Sequence, residues 1–152
     1  LDFCASLVDN PATFRIFVVR NKFLNACDSS TNRRSTPSSS NVTTSSFPDV
    51  AQAINDHAMA NGYAVVREVG GHGIGLEFHE TPFVSYVIKK GTGMVMAPGM
   101  VFTIEPMINM GTAEVYVDDD NGWTIYTDDD EPSAQSEIMV HVTEDGYEVM
   151  SW

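Results

Sequence analysis

Two glutamates stand where the surrounding residues are apolar. Glu105 interrupts the run Met100-Val101-Phe102-Thr103-Ile104, with Pro106-Met107-Ile108 beyond it, and Glu137 opens the run Ile138-Met139-Val140. A carboxylate withdrawn from water without a partner is costly, so such a group is normally paired or bound to a metal. His72 lies between two glycines in Gly71-His72-Gly73-Ile74-Gly75, and His79 follows in Phe78-His79-Glu80-Thr81-Pro82. Glycines permit close backbone approaches that other residues forbid, so a histidine presented there can reach a metal or a substrate. Two histidines and two glutamates from separate segments could together supply nitrogen and oxygen ligands to a divalent transition metal. The plainer readings stay open: strand-end carboxylates that are solvated or paired with an arginine, and a turn histidine with no role. No local spacing of the HExxH kind narrows the choice.

Other candidate motifs fail. The acidic runs Asp118 to Asp120 and Asp128 to Glu131 lack the alternating oxygen ligands, central glycine and final glutamate of an EF-hand loop. They read as solvated hairpin tips. The glycines around His72 are not followed by Lys-Ser or Lys-Thr, so they do not form a phosphate-binding P-loop.

The elements that must position these residues follow from periodicity. Ser46 suits a helix N-cap and Pro48 its first turn. Val50, Ala53, Ile54, His57 and Ala58 then repeat at helical spacing, until Asn61-Gly62 closes the segment. Tyr63 to Val69 is expected to be a strand and Gly70 to Gly75 a loop. Met100 to Met107 is expected to be one strand after the turn Pro98-Gly99. Glu114–Val117 and Trp123–Thr127 flank Asp118 to Gly122 as one hairpin, and Gln135–Thr143 with Tyr147–Met150 flank Glu144-Asp145-Gly146 as a second. Alternation along the last pair puts Ile138, Val140 and Val142 on one face and Glu137, Met139 and His141 on the other. One helix with several antiparallel strands predicts an α+β domain.

Upstream of residue 47 the composition changes. Phe14 to Val19 reads as a strand, but residues 28–46 (DSSTNRRSTPSSSNVTTSS) have little apolar content and predict loop or disorder. Residues 1–46 are therefore set apart as an atypical N-terminal segment, and residues 47–152 as the folded unit. The chain begins with Leu1 rather than Met and is expected to be a fragment, with no secretory signal. Its formal net charge of −13 argues against a nucleic-acid backbone as partner and suits a cationic one, such as a peptide's free N-terminal amine. No apolar run of about 18 residues is present for a membrane helix. Cys4 and Cys27 are too few for a disulfide framework, and a reducing cytoplasm is the expected compartment.

Taken in order, the chemistry-bearing blocks resemble a known family. Gly71-His72-Gly73-Ile74-Gly75 with Phe78-His79-Glu80 and Pro82, then Gly99 to Ile108, then Asn121-Gly122-Trp123-Thr124, and finally Ser133-Ala134-Gln135-Ser136-Glu137 with Val142-Thr143-Glu144 resemble the pita-bread metallopeptidases. Glu105-Pro106-Met107 and the Ser-Ala-Gln-x-Glu block favour type I methionine aminopeptidases over prolidases. The resemblance covers roughly residues 48–151, the C-terminal half of such a domain, and implies a partial pita-bread fold. It implies His72, Glu105 and Glu137 as metal ligands, with Glu137 bridging two divalent ions drawn from Co, Mn, Fe or Zn. It implies His79 and Glu105 as catalytic residues, His79 also contacting the substrate, and Phe78 and Trp123 lining the methionine side-chain pocket. The activity implied is hydrolytic removal of methionine from a peptide or nascent-protein N-terminus, with the ribosome as a further partner.

The chain also departs from the family pattern. The family draws two more ligands from N-terminal aspartates, and a gapless reading places Ala12 at one of those positions, with Asp9 three residues away and Asp2 without supporting context. The substrate-binding histidine of the N-terminal half likewise has no counterpart. These departures lead to the expectation of an impaired enzyme, with a non-catalytic peptide-binding module as the alternative. Where the family places a helix, Arg20 to Phe47 is Ser/Thr-rich, as translation in the wrong reading frame would produce; resequencing those codons tests that origin.

Overall fold

The structure is a computed structural model that describes residues 45–87 and 93–151. The expected strand at Phe14 to Val19 and most of the polar stretch 28–46 lie outside the described residues.

Helix α1 spans Phe47–Ala60. The Asp49 carboxylate accepts both the backbone N–H of Ser46, at 2.7 Å, and its hydroxyl, at 2.8 Å. This fixes the first turn and puts a negative charge at the positive end of the helix dipole. The helix ends where Gly62 adopts φ +79°, a left-handed conformation that glycine takes without a Cβ penalty. Its buried stripe is Phe47, Val50, Ala51, Ile54 and Ala58, while Ala53 and His57 of the expected stripe are half-buried at its edge.

Ten strands follow. They are β1 Ala64–Val65, β2 Gly71–Gly73, β3 Glu80–Val84, β4 Val101–Ile104, β5 Met107–Asn109, β6 Val115–Val117, β7 Ile125–Thr127, β8 Ser133–Gln135, β9 Ile138–Val142 and β10 Tyr147–Ser151. A five-stranded antiparallel sheet has the order β10-β9-β4-β2-β3, a three-stranded sheet β1-β5-β8, and β6 pairs with β7 alone. The helix packs its stripe on the inner face of the larger sheet, where Phe47 meets Phe102 edge-on at 4.9 Å between ring centroids. Val84, Tyr86, Ile104, Ile138 and Val140 complete that core. Among the described residues, the α+β class, the helix after Ser46 and the two hairpin turns stand as expected.

Four expected elements differ, three of them strands. The strand over Tyr63 to Val69 narrows to β1, because Arg67 and Glu68 turn out to solvent. Met100 to Met107 divides into β4 and β5, since Pro106 has no N–H for the ladder and the Glu105 N–H is spent on Tyr86. Gln135 to Thr143 likewise divides into β8 and β9, at Ser136-Glu137.

The expected glycine loop is instead β2, hydrogen-bonded on both sides between β3 and β4. Its glycines act through proximity: a Cβ on Gly71 would collide with the Thr103 carbonyl oxygen, and one on Gly73 with that of Thr81. A Gly71→Ala substitution should therefore destabilise the chain by about 1–3 kcal/mol in urea unfolding, the usual cost of forcing atoms into a packed site. Gly146→Ala, where a Cβ meets nothing within 4 Å, should stay within about 0.5 kcal/mol of the parent.

Candidate metal centre

The two divided strands run side by side. β4 pairs with β9 so that Ile104 faces Ile138, and β5 pairs with β8 so that Met107 faces Gln135. The register is continuous across both breaks, which sets Glu105 opposite Glu137. Each carboxylate therefore stands at the point where its strand passes from the larger sheet to the smaller one. β2 adds His72 beside Thr103 on the same ladder. The structure thus brings together three residues far apart in sequence: ligand atoms of His72, Glu105 and Glu137 all lie within 4.8 Å of one another. His72 and Glu105 are largely buried, at 13% and 17% side-chain exposure, and Glu137 forms the exposed rim.

The donor set fits a divalent cation. His72 Nδ1 lies 3.0 Å from the Gly73 carbonyl oxygen, which can only accept, so Nδ1 carries the proton. In the neutral ring this tautomer turns the Nε2 lone pair toward Glu105 Oε1 at 3.5 Å, where a cation would find two donors. Two carboxylates directly opposite on antiparallel strands repel. A divalent ion placed between one imidazole nitrogen and two carboxylates would relieve that repulsion, and this is a donor mixture such ions accept. Fixing the tautomer through the far ring nitrogen is how metal-binding histidines are oriented.

Glu105 is held on every side. Its Oε1 accepts the Thr103 hydroxyl at 2.6 Å, its Oε2 faces the Gln135 amide at 3.3 Å, and its backbone N–H donates to the Tyr86 hydroxyl at 2.7 Å. Burial pushes the Tyr86 hydroxyl above the usual phenol range; the Glu105 N–H bond opposes this, and the Glu105 charge adds to it. Thr103, Tyr86 and Gln135 were given no role from the sequence. A threonine inside an apolar strand run was the available signal for Thr103, whereas Tyr86 sits in no motif.

Beside His72 and Glu105 is a cleft of about 500 Å³, lined also by His79, Phe83, Met107 and Gln135 among others; Glu137 and Phe78 are not lining residues. The His79 ring stands edge-on to His72 at 4.4 Å, and Phe78 packs on His79 at 4.7 Å. Phe78 is 74% exposed at the mouth of this ring cluster. Trp123 is 84% exposed on the β6–β7 turn and is not among the residues lining the cleft.

Comparison with known proteins agrees with this geometry. The sequence matches the model of metallopeptidase family M24 over residues 40–144. Methionine aminopeptidase A of Synechocystis is 50% identical over 103 residues, covering 68% of this chain and 40% of that protein. The methionine aminopeptidase of Chlamydia pneumoniae is 45% identical over 103 residues, 68% of this chain and 35% of that one. Among solved structures, methionine aminopeptidase from Rickettsia prowazekii superposes with a TM-score of 0.67 at 32% identity, over 87% of this chain and 52% of that one. The Thermotoga maritima methionine aminopeptidase gives 0.68 at 30% identity, over 89% and 51%. The chain spans 35–40% of the length of these two curated relatives, and about half of each of these two solved chains. The partial pita-bread fold expected from the sequence is the fold of these neighbours. No helix among the described residues is long and apolar enough to cross a membrane.

Two substitutions test the geometry. Tyr86→Phe removes the acceptor of a part-buried N–H and should cost about 1–3 kcal/mol of unfolding free energy. Glu137→Gln, studied in chelator without metal, should raise stability by up to about 1 kcal/mol, because it removes a like charge directly across the ladder. Urea titration reads both.

Proposed function

The chain belongs to metallopeptidase family M24, and from that premise we propose that it is a metal-dependent aminopeptidase whose substrate is an N-terminal methionine on a peptide or nascent protein. The observation that supports this reading is the convergence of His72, Glu105 and Glu137, the first two lining a cleft together with His79. His72 Nε2 and the two carboxylates would hold a divalent ion such as Co, Mn, Fe or Zn, and Glu137 would bridge to a second. Bound ions of this kind polarise the scissile carbonyl and lower the pKa of the attacking water.

The protein's own residues then have separate tasks. Glu105, whose Oε2 faces the exposed Gln135 amide, would help take and return the proton. His79, held against His72, would hydrogen-bond the substrate amide and the developing tetrahedral centre. Phe78, packed on His79, would cover the methionine side chain. The assignment of Trp123 to that pocket rests on the family resemblance alone. A net charge of −13 suits a substrate that arrives with a free amine, and the cytoplasm is the compartment in this reading.

The activity of these 152 residues is expected to be low. Three donors serve one ion, whereas two-metal catalysis needs both ions held about 3.5–4 Å apart. The position matched to an aspartate ligand is Ala12. Weaker hold on one ion raises the barrier, at about 1.4 kcal/mol for each tenfold loss of rate.

Methionine release from a Met-Ala peptide, assayed with each metal, should be slow and abolished by Glu105→Ala. Metal at about one hundred times its Kd should add about 2.7 kcal/mol to the stability of the parent chain and nothing to His72→Ala. Rapid release at micromolar metal would refute the impairment. Metal binding with peptide affinity but no release would favour the non-catalytic binding module.

A further inference from the structure

Resting on the reading of His72, Glu105 and Glu137 as ligands, we infer that Thr103 is the positioning residue of the centre. Its hydroxyl couples His72 to Glu105 and holds both donors where one ion can meet them.

Thr103 is fully buried, at 0% exposure. A hydroxyl has one proton to give and two lone pairs to accept with. Here the backbone N–H of His72 donates to Thr103 Oγ1 at 2.9 Å, and Oγ1 donates its proton to Glu105 Oε1 at 2.6 Å. The second bond is short because its acceptor is a carboxylate. Its acceptor oxygen is also the one that faces His72 Nε2 at 3.5 Å, so the hydroxyl fixes the edge of Glu105 turned toward the imidazole.

The placement follows from the strands. Alternation along β4 sends Phe102 and Ile104 into the core and Thr103 to the same face as Glu105. Gly71 leaves room for this side chain: a Cβ there would stand 3.0 Å from Thr103 Oγ1, besides meeting its carbonyl. A threonine that served packing alone would need no carboxylate partner. Valine has the same shape and would leave the His72 N–H without its acceptor and Glu105 Oε1 without its donor.

The test titrates the full chain, freed of metal, with Co²⁺ alone. Calorimetry gives affinity, and the visible absorption of bound Co²⁺ reports its coordination geometry. Thr103→Val should weaken binding about ten- to hundredfold and alter the spectrum, as loss of a group that orients a ligand does. Thr103→Ser, which keeps the hydroxyl, should stay near the parent in both. If the valine variant does not fold by circular dichroism, Thr103→Ala against Thr103→Ser carries the same comparison. Equal affinity and spectrum in the hydroxyl-free variant and the parent would overturn the inference while leaving the metal centre intact. A serine variant as impaired as the hydroxyl-free one would overturn it too, because shape rather than the hydroxyl would be at work. Absence of saturable Co²⁺ binding by the parent would overturn the metal-centre reading itself, and this inference with it.

Discussion

The pairing of β4–β5 with β8–β9 is the constraint on which the rest depends. Both strands pass from one sheet to the other, and an unbroken register makes them do so at the same level, with Glu105 facing Glu137. Two carboxylates held across a ladder are unfavourable in isolation. The fold accepts this because the same crossing supplies their surroundings: a buried threonine on one side, a tyrosine hydroxyl below and an imidazole from the next strand. Burial of Phe102, Ile104, Ile138 and Val140 fixes the register, since a slip by one residue would expose all four and drive the carboxylates into the core.

Close backbone contact brings the histidine into this arrangement. β2 is only three residues long and is paired on both sides. Gly71 and Gly73 let the neighbouring strands approach to where a side chain would otherwise stand, and His72, between them, projects toward the carboxylates. Its ring is then aimed by its own neighbour, the Gly73 carbonyl, which takes the Nδ1 proton and leaves Nε2 for the centre. The next turn of chain adds His79 to the lining of the cleft, its ring edge-on to His72, with Phe78 edge-on to His79. Residues 72, 78 and 79 of one short segment thus bring three rings together beside the carboxylates.

Part of the acidic excess serves turns. The Asp118 carboxylate ties the β6–β7 turn by accepting the Asp120 backbone N–H and the Asn121 side-chain amide, and Asp129 caps the segment at Thr112. Backbone hydrogen bonds from Thr112 and Glu131 hold the exposed Asp129 carboxyl below its ordinary range. These carboxylates shape turns, as their composition suggested, and they leave the three donors of the centre as the group among the described residues able to hold a metal.

The sequence by itself determined the helix, because its apolar spacing, capping serine and closing Asn-Gly are local signals. It also determined both hairpins, whose turns are marked by Asp, Asn and Gly. It singled out Glu105, Glu137 and His72, because a charge in an apolar run and a histidine between glycines are anomalies visible without coordinates. Tertiary structure alone decided that the glycine segment is a strand, because its partners come from residues 80–84 and 101–104 and no local pattern encodes them. It alone decided that two long strands break at their carboxylates, since alternation continues through Glu105 and Glu137 while the hydrogen-bond partners change sheet. The support from Thr103, Tyr86 and Gln135 was equally hidden. A hydrogen bond between residues 31 or 19 positions apart depends on which strands lie adjacent, and side-chain identity becomes informative only once that adjacency is known.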